Sequence, residues 1–372
     1  MSEGLRAMVE GLLDRLRGRG HAEKTRAAFK DAIRAEGDRV ARSLRKSLAG
    51  DLDAMRAEQE RLGRTLAAVQ ASLAEAVTRQ QKAERKASQF MLTLQLNERQ
   101  RDLIARLPAA LDDARVSAHV QQAITDAELL TDPFPHMVVT DVVPPDVYKL
   151  MLRAIPPADF FGDKDLTKQN LRIPVDRCPE LTTRVWQFVD DTARNVVVPA
   201  VVARFREPLW QHYETLFGQA LAARAAALPQ APNGGRVMLR RPGYHLSPHR
   251  DPKRSMLTCL MYLAAPGADE SYGTKIFRVS GDQESSYTQT YYPEQNGATC
   301  ELAKTVPFRP NSMLVFLNGT GAHGADIPTD APPDLERYSY QFYVGPTLEA
   351  LEALVAELPD DRRKKWQGKN AD

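Results

Sequence analysis

A run of some eighty residues without proline constrains this chain more than any other feature. From Ala27 to Leu107 there is no proline, and the only glycines are Gly37, Gly50 and Gly63. Ala, Leu, Arg, Glu and Gln dominate the stretch, all of them good helix formers. Apolar or small residues, with two glutamines among them, recur there in strict 4-3 steps. The series is Leu48, Leu52, Met55, Gln59, Leu62, Leu66, Val69, Leu73, Ala76, Gln80, Ala83, Ala87, Phe90 and Leu94. A 3.5-residue period kept over about six heptads describes a coiled-coil seam, not one face of a globular helix. With Leu52 at an a position, Gln59 and Gln80 also fall at a, where polar side chains cost stability but fix register and strand number. Ile33, Val40 and Leu44 fit the series less well, so a stutter or a separate helix is expected upstream. Two arrangements bury such a seam: association with another copy or partner, or an intramolecular antiparallel hairpin broken near Gly50. Self-association, a homo-oligomer, is the expectation.

Composition changes after Leu107. Pro108 is expected to end the long helix, and Ala109 to Leu130 reads as short amphipathic helices forming a joint. Asp132-Pro133-Phe134-Pro135-His136 then opens a sequence dense in proline, aromatics and β-branched residues. Val138–Val143 reads as a strand stopped by Pro144-Pro145, and Val147 to Ile155 has helical periodicity. Leu181 to Leu228 reads as a second helical layer interrupted by Pro199, Pro208 and Gly218. From Gly235 onward short strands alternate with turn residues: Val237–Arg241, Ser255–Leu263, Thr274–Val279, Tyr287–Tyr292, Thr305–Pro307, Ser312–Leu317 and Tyr338–Val344. Such a series suggests a sandwich or jelly roll. Leu348 to Leu358 reads as a last helix, with a polar, frayed tail from Asp360 to Asp372. The expected organisation is a helical coiled-coil region at 1–107, a helical joint at 108–132, a domain at 133–347 with its β core near 235–346, and a C-terminal helix and tail at 348–372. The fold class is α+β.

Charge excludes one class of partner. Fifty Lys and Arg face forty-eight Asp and Glu, a net +2, so there is no basic excess to displace counterions from nucleic acid. The charges of the long helix (Arg56, Glu58, Glu60, Arg61, Arg64) mix both signs, as on a solvated face. Cys178, Cys259 and Cys300 have no zinc or disulfide spacing and fit a reducing compartment. No apolar run reaches membrane-spanning length, and Met1 to Arg19 lacks the apolar stretch of a secretory signal. A cytoplasmic location is the expectation.

The C-terminal half carries a possible metal site. His249-Arg250-Asp251 is followed at a distance by His323 within Gly321-Ala322-His323-Gly324. In extended backbone, residues i and i+2 point the same way, so His249 and Asp251 aim at one point. Two imidazoles and a carboxylate suit Fe(II) and leave three coordination positions open for a co-substrate and O₂. Arg337 and Ser339 then share a face of one strand. An oxo-acid such as 2-oxoglutarate would chelate the metal at one end and need a cationic partner for its far carboxylate, and a guanidinium fits that best.

At these residues the chain resembles a known family. From about Pro133 to Pro346 it is similar to Fe(II)- and 2-oxoglutarate-dependent dioxygenases of the prolyl 4-hydroxylase-like group. His249, Asp251 and His323 match that family's iron ligands, and Arg337-Tyr338-Ser339 resembles its oxo-acid-binding R-x-S. Pro242-Gly243-Tyr244-His245-Leu246-Ser247-Pro248-His249-Arg250-Asp251 is similar to its approach to the metal pair. Tyr272-Gly273-Thr274 is similar to its small-residue turn before a core strand, and Pro310-Asn311-Ser312-Met313-Leu314-Val315-Phe316 to its strand before the second histidine. Pro133-Phe134-Pro135-His136 with Pro144-Pro145-Asp146 resembles its opening segment. The resemblance implies a double-stranded β-helix (jelly-roll) catalytic domain with flanking helices. It also implies hydroxylation of a substrate with release of succinate and CO₂. In one departure, Arg241 stands where many members carry a tyrosine before the Pro-Gly; facing inward, it would meet an anionic substrate.

Other readings stay open at this stage. The β domain could bind without reacting, with the coiled coil as the working part, or it could be a cupin-type metal isomerase that needs neither Arg337 nor O₂. His245 is four residues from His249, but Pro248 argues against a helical ligand pair, leaving a pocket-lining or an ordinary position. Lys168, Asn170 and Arg172 read as a polar loop, first as a solvated one and second as one overhanging the site. Pro232-Asn233-Gly234-Gly235 reads as a turn. The substrate is not legible: a small molecule, a glycan or a peptidyl side chain would all be compatible.

Overall fold

The structure is a computed structural model describing residues 7–11, 22–162, 165–175, 177–282 and 286–366. By its internal contacts the chain divides into two compact units, Met1–Arg85 and Lys86–Asp372.

The first unit is dominated by α1, a 78-residue helix over Ala22–Arg99 that continues into the second unit. It runs through Gly50 and Gly63 without a break, although each glycine costs about 1 kcal/mol relative to alanine in a helix. The hairpin broken near Gly50 is therefore not what the chain forms. Seam positions stay in solvent, with Leu52 55%, Leu66 59% and Leu73 64% exposed. No other element among the described residues covers them. Ion pairs one turn apart, such as Arg61 with Glu58 at 2.6 Å, decorate the helix.

The long helix ends earlier than proline placement predicts. It stops at Arg99, and α2 (Arg101–Ala110) follows with Pro108 inside it. Pro108 lies in the last turn, where its missing N–H leaves only the Ile104 carbonyl without its helical partner, and Leu111 N closes onto Leu107 O at 2.8 Å. After α2 come α3 (Asp113–Asp126), capped by the Asp112 carboxylate accepting from Arg115 N, and α4 (Pro145–Arg153). The second helical layer is α5 (Glu180–Thr192), α6 (Val198–Arg204), α7 (Arg206–Phe217) and α8 (Gln219–Ala226). A π turn over Ala193–Val197 absorbs Pro199, whose ring would crowd the carbonyl four residues back.

Eleven strands among the described residues form two antiparallel sheets: β1 (Leu129–Leu130), β2 (His136–Thr140), β3 (Lys168–Arg172), β4 (Gln230–Arg240), β5 (His245–His249), β6 (Leu257–Tyr262), β7 (Thr274–Ser280), β8 (Thr299–Val306), β9 (Ser312–Leu317), β10 (Ala322–Asp326) and β11 (Arg337–Pro346). The large sheet has the order β1-β2-β9-β6-β11-β4-β3, the small one β5-β10-β7-β8. One face of the large sheet (Val237, Leu239, Leu257, Cys259, Val315, Tyr340, Phe342) packs on the helices in the main core. Its other face (Met238, Leu260, Tyr262, Leu314, Phe316) meets Ile276 and Val306 of the small sheet in a second core. Alternation along each strand divides the two cores.

Four local expectations differ from what forms. The polar segment Lys168–Arg172 is not a loop but the edge strand β3, paired with β4. Pro232 to Gly235 is not a turn. It lies inside β4, where the register against β11 slips between Gln341 and Tyr343 and Gly234 takes φ +66°, making a glycine bulge. Tyr287 to Tyr292 forms only a bridge, Arg250 to Tyr291. The tail is ordered as far as Trp366. After α9 (Leu348–Ala356) come α10 (Asp360–Arg363) and a 3-10 turn, and the Trp366 ring stacks on Phe217 at 5.2 Å. The rest of the tail, 367–372, lies outside the described residues.

Candidate metal centre

The small sheet brings the two histidines together. β5 and β10 are neighbours, with His249 opposite His323 and their ring centroids 4.1 Å apart. The register then slips. A step of two residues along β10 (His323 to Ala325) matches a step of three along β5 (His249 to Leu246). This bulge turns Leu246 and His249 both into one cavity of about 180 Å³ and leaves His245 exposed, its Nε2 3.1 Å from Ser247 Oγ. His245 therefore does not line the cavity. The strands approach closely here: a Cβ on Gly324 would lie 2.8 Å from Leu246 O. Asp251 sits just beyond β5, held by the backbone bridge of Arg250 to Tyr291. His249 and Asp251 line the cavity, whereas Arg250 points away, donating Nη2 to Asp282 Oδ2 at 2.6 Å and Nε to Gly321 O at 3.1 Å.

The donor set suits a divalent metal. One ligand atom from each of His249, Asp251 and His323 lies within 4.8 Å of the others. His249 Nε2 is 3.8 Å from Asp251 Oδ1, and His323 Nε2 is 3.7 Å from Asp251 Oδ2. These are too long for hydrogen bonds, so the three groups do not satisfy one another. Burial pushes the His249 imidazole below its ordinary pKa against the pull of Asp251. Burial, reinforced by His249, holds His323 down at about 3. Both rings are neutral at physiological pH, the form that binds metal. Ser247 O accepts a hydrogen bond from His249 Nδ1 at 3.0 Å, which leaves the Nε2 lone pair for the cavity. Thr258 Oγ1 lies 2.8 Å from Asp251 Oδ2 and also contacts the Asn318 amide. Its single proton goes to the carboxylate, and it accepts from Asn318 Nδ2. Tyr343 OH donates to Asp251 Oδ1 at 3.3 Å.

Arg337 and Ser339 lie on β11 with their side chains on the inner face, and both are buried. The guanidinium stacks over Phe308 at 4.8 Å and Tyr262 at 5.6 Å, and Nε donates to Tyr272 O at 2.5 Å. Gly273 lets that turn approach, since a Cβ there would stand 1.8 Å from Val306 O. Arg337 Nη2 and Ser339 Oγ are buried without a hydrogen-bond partner. Such orphans cost about 1–3 kcal/mol each; Arg337 lines the cavity, where an anionic ligand would satisfy it, whereas Ser339 is not among the lining residues. Arg241 does not reach the cavity. It binds Glu336 at 2.6 Å and Gln169 Oε1 at 2.5 Å, outside the inner face. A tyrosine does line the cavity nearby, Tyr244, under the guanidinium of Arg240 at 5.0 Å.

Sequence reasoning missed several lining or supporting residues, Arg236, Arg240, Thr258, Tyr292 and Tyr343, and it places Lys168, which lines the cavity, in a polar loop. The alternation Arg236-x-Met238-x-Arg240 was the available signal, because it places two cations on the face opposite Val237 and Leu239. For Thr258 no local pattern exists. His136 and His212 are buried and bond to backbone carbonyls, away from the triad.

No family model and no curated protein matches the sequence. Among solved structures, the chain is similar to HygX from Streptomyces hygroscopicus with nickel and 2-oxoglutarate bound (13% identity, 57% of this chain and 83% of that one, TM-score 0.36). It is also similar to a Pseudomonas putida prolyl-4-hydroxylase (16%, 62% and 99%, 0.34) and to the non-heme alpha ketoglutarate dependent epimerase SnoN (15%, 64% and 84%, 0.31). At these scores the likeness carries no weight.

Proposed function

We propose that this chain is an Fe(II)- and 2-oxoglutarate-dependent oxygenase, a hydroxylase whose domain at 133–347 is a double-stranded β-helix of the prolyl 4-hydroxylase-like kind. One observation carries the reading. A single cavity holds two neutral imidazoles and a carboxylate within coordination reach of one another, together with a buried guanidinium whose Nη2, like the nearby Ser339 Oγ, has no partner. His249, Asp251 and His323 would hold Fe(II), and Arg337 with Ser339 would anchor the far carboxylate of 2-oxoglutarate. When bound, metal, oxo-acid and O₂ would supply the oxidising chemistry, in which oxidative decarboxylation to succinate and CO₂ accompanies oxygen insertion into a substrate C–H bond. The protein's own part is orientation. Ser247 O sets the His249 tautomer, Thr258 and Tyr343 fix the Asp251 carboxylate, and Met238, Leu246 and Leu260 supply a dry wall. A cupin-type isomerase would not need Arg337.

The test is an anaerobic titration with Fe(II) and 2-oxoglutarate, followed by succinate release on admitting O₂. His249→Ala or Asp251→Ala should abolish turnover, and full activity in either would sink the assignment. Arg337→Met should mainly raise the 2-oxoglutarate requirement, and an unchanged apparent affinity would remove that role.

The reading extends to the rest of the chain. Residues 1–107 would be a coiled-coil region joined to the domain through 108–132, in a cytoplasmic homo-oligomer without a nucleic-acid partner. The exposed 4-3 series supports this, since each leucine buried by a second helix contributes roughly 1–2 kcal/mol. No helix among the described residues is long and apolar enough to cross a membrane. Light scattering on the full chain at micromolar concentration should give a mass above one protomer, and a monomer would reject the assignment.

A further inference from the structure

The large sheet carries a row of cations. Lys168 on β3 stands opposite Arg240 on β4, and Arg240 stands opposite Arg337 on β11. All three line the cavity that holds the triad, and Arg240 and Arg337 are each only 3% exposed. Like charges directly opposite on neighbouring strands destabilise a sheet, and burial sharpens the repulsion. A fourth cation, Arg236, lies further along the same face of β4. It donates to Gln341 Oε1 and Tyr343 OH, both neutral. Against these four, Asp251 is the one carboxylate among the described lining residues.

The proposed ligands do not remove the excess. A divalent metal and a dianionic oxo-acid cancel each other, so the loaded cavity keeps its surplus of positive charge. Arg337 is the cation the oxo-acid would use. Arg240 is held in place by its bonds to Gln169 O at 2.8 Å and Asn170 Oδ1 at 3.1 Å. Lys168 donates its backbone N–H to Asp165 O at 3.1 Å, while its exposed side chain makes no hydrogen bond or ion pair among the described residues; its charge lies near enough to Asp165 and His249 to act on both.

We propose that the substrate of this site carries an anionic group, a carboxylate or a phosphate, bound by Lys168 beside Arg240 at the cavity mouth while the oxo-acid occupies Arg337. The proposal rests on the oxygenase reading for the identity of the first anion, not for the existence of the second site. The anionic group is an anchor and takes no part in bond changes. Substrates lacking it lose the charge-assisted bond to Lys168.

The experiment is calorimetric titration of the full chain with inorganic phosphate and, separately, acetate. Each is run on the metal-free protein and on protein saturated with Mn(II) and 2-oxoglutarate without O₂. Saturated wild type should still bind one further equivalent of at least one probe. The stronger of the two identifies the anion class. Lys168→Gln should weaken that binding about tenfold while its 2-oxoglutarate affinity stays within about twofold. Three results would overturn the proposal. Saturated wild type could bind neither probe, or Lys168→Gln could weaken 2-oxoglutarate and probe alike, which would make the row one oxo-acid site. The variant could also aggregate with unchanged probe affinity, which would make Lys168 only a protective edge-strand charge. A chain that binds a probe through Lys168 yet binds no 2-oxoglutarate would fail the oxygenase reading and keep this one.

Discussion

Thr258→Val separates a metal ligand from an ordinary buried aspartate. Valine matches threonine in shape, and Thr258 is fully buried on β6, so the change removes a hydroxyl and little else. The hydroxyl is 2.8 Å from Asp251 Oδ2 and 3.0 Å from Asn318 Nδ2. Without it the carboxylate loses a charge-assisted donor and the Asn318 amide, only 1% exposed, loses its acceptor. Stranding buried partners in this way costs about 1–3 kcal/mol, a drop of several degrees in the melting temperature of the metal-free protein. If Asp251 is a ligand, a second penalty appears only with metal present. Loss of a group that orients a ligand typically weakens metal binding by about 10- to 100-fold, or about 1.4–2.7 kcal/mol. At a fixed excess of Mn(II) the metal-induced rise in melting temperature should therefore shrink in the variant. Anaerobic Mn(II) titration and paired thermal melts measure both quantities. A destabilised variant whose metal affinity equals that of wild type would refute the reasoning, because Thr258 would then support the fold without supporting a metal site.

Two further outcomes follow from the same structure. Burial lowers the pKa of His212 to about 4 and that of His323 to about 3, below the ordinary 6.5 that each regains on unfolding. Between those values the unfolded chain takes up protons that the folded one excludes. Stability is thus complete above pH 6.5 and falls as pH drops below it, at about 1.4 kcal/mol per pH unit for each group. Urea unfolding of the metal-free protein at pH 7.5 and 5.5 should differ by roughly 3 kcal/mol from this pair, and a flat profile would contradict their burial as neutral rings. Gly324→Ala places a methyl 2.8 Å from Leu246 O at the bulge, forcing β5 and β10 apart at a cost of about 1–3 kcal/mol. Because His323 and His249 sit on those strands, metal affinity should fall along with thermal stability, and an alanine variant with wild-type values in both would show the bulge to be unconstrained.

The sequence by itself determined the long helix and the chemistry of the cavity. Absence of proline and a sustained 3.5-residue period are local properties, so α1 was legible, although its end at Arg99 and the survival of Pro108 inside α2 were not. Period two along a strand likewise put Arg337 and Ser339 on one face, and side-chain type with H-x-D spacing marked His249, Asp251 and His323 as a possible metal site. Only the tertiary structure decided which residues stand beside one another. The β5–β10 slip that turns His249 and Leu246 inward and His245 out depends on pairing across some seventy residues. The placement of Thr258 on Asp251, seven residues back, depends on β6 lying between β9 and β11 in the large sheet. A polar stretch such as Lys168–Arg172 became an edge strand because β4 offered it free backbone groups, not because its own residues favour a strand. That pairing also aligned Lys168, Arg240 and Arg337 into one row. Alternation along a strand is written in neighbouring residues, whereas register between strands is settled by packing in three dimensions.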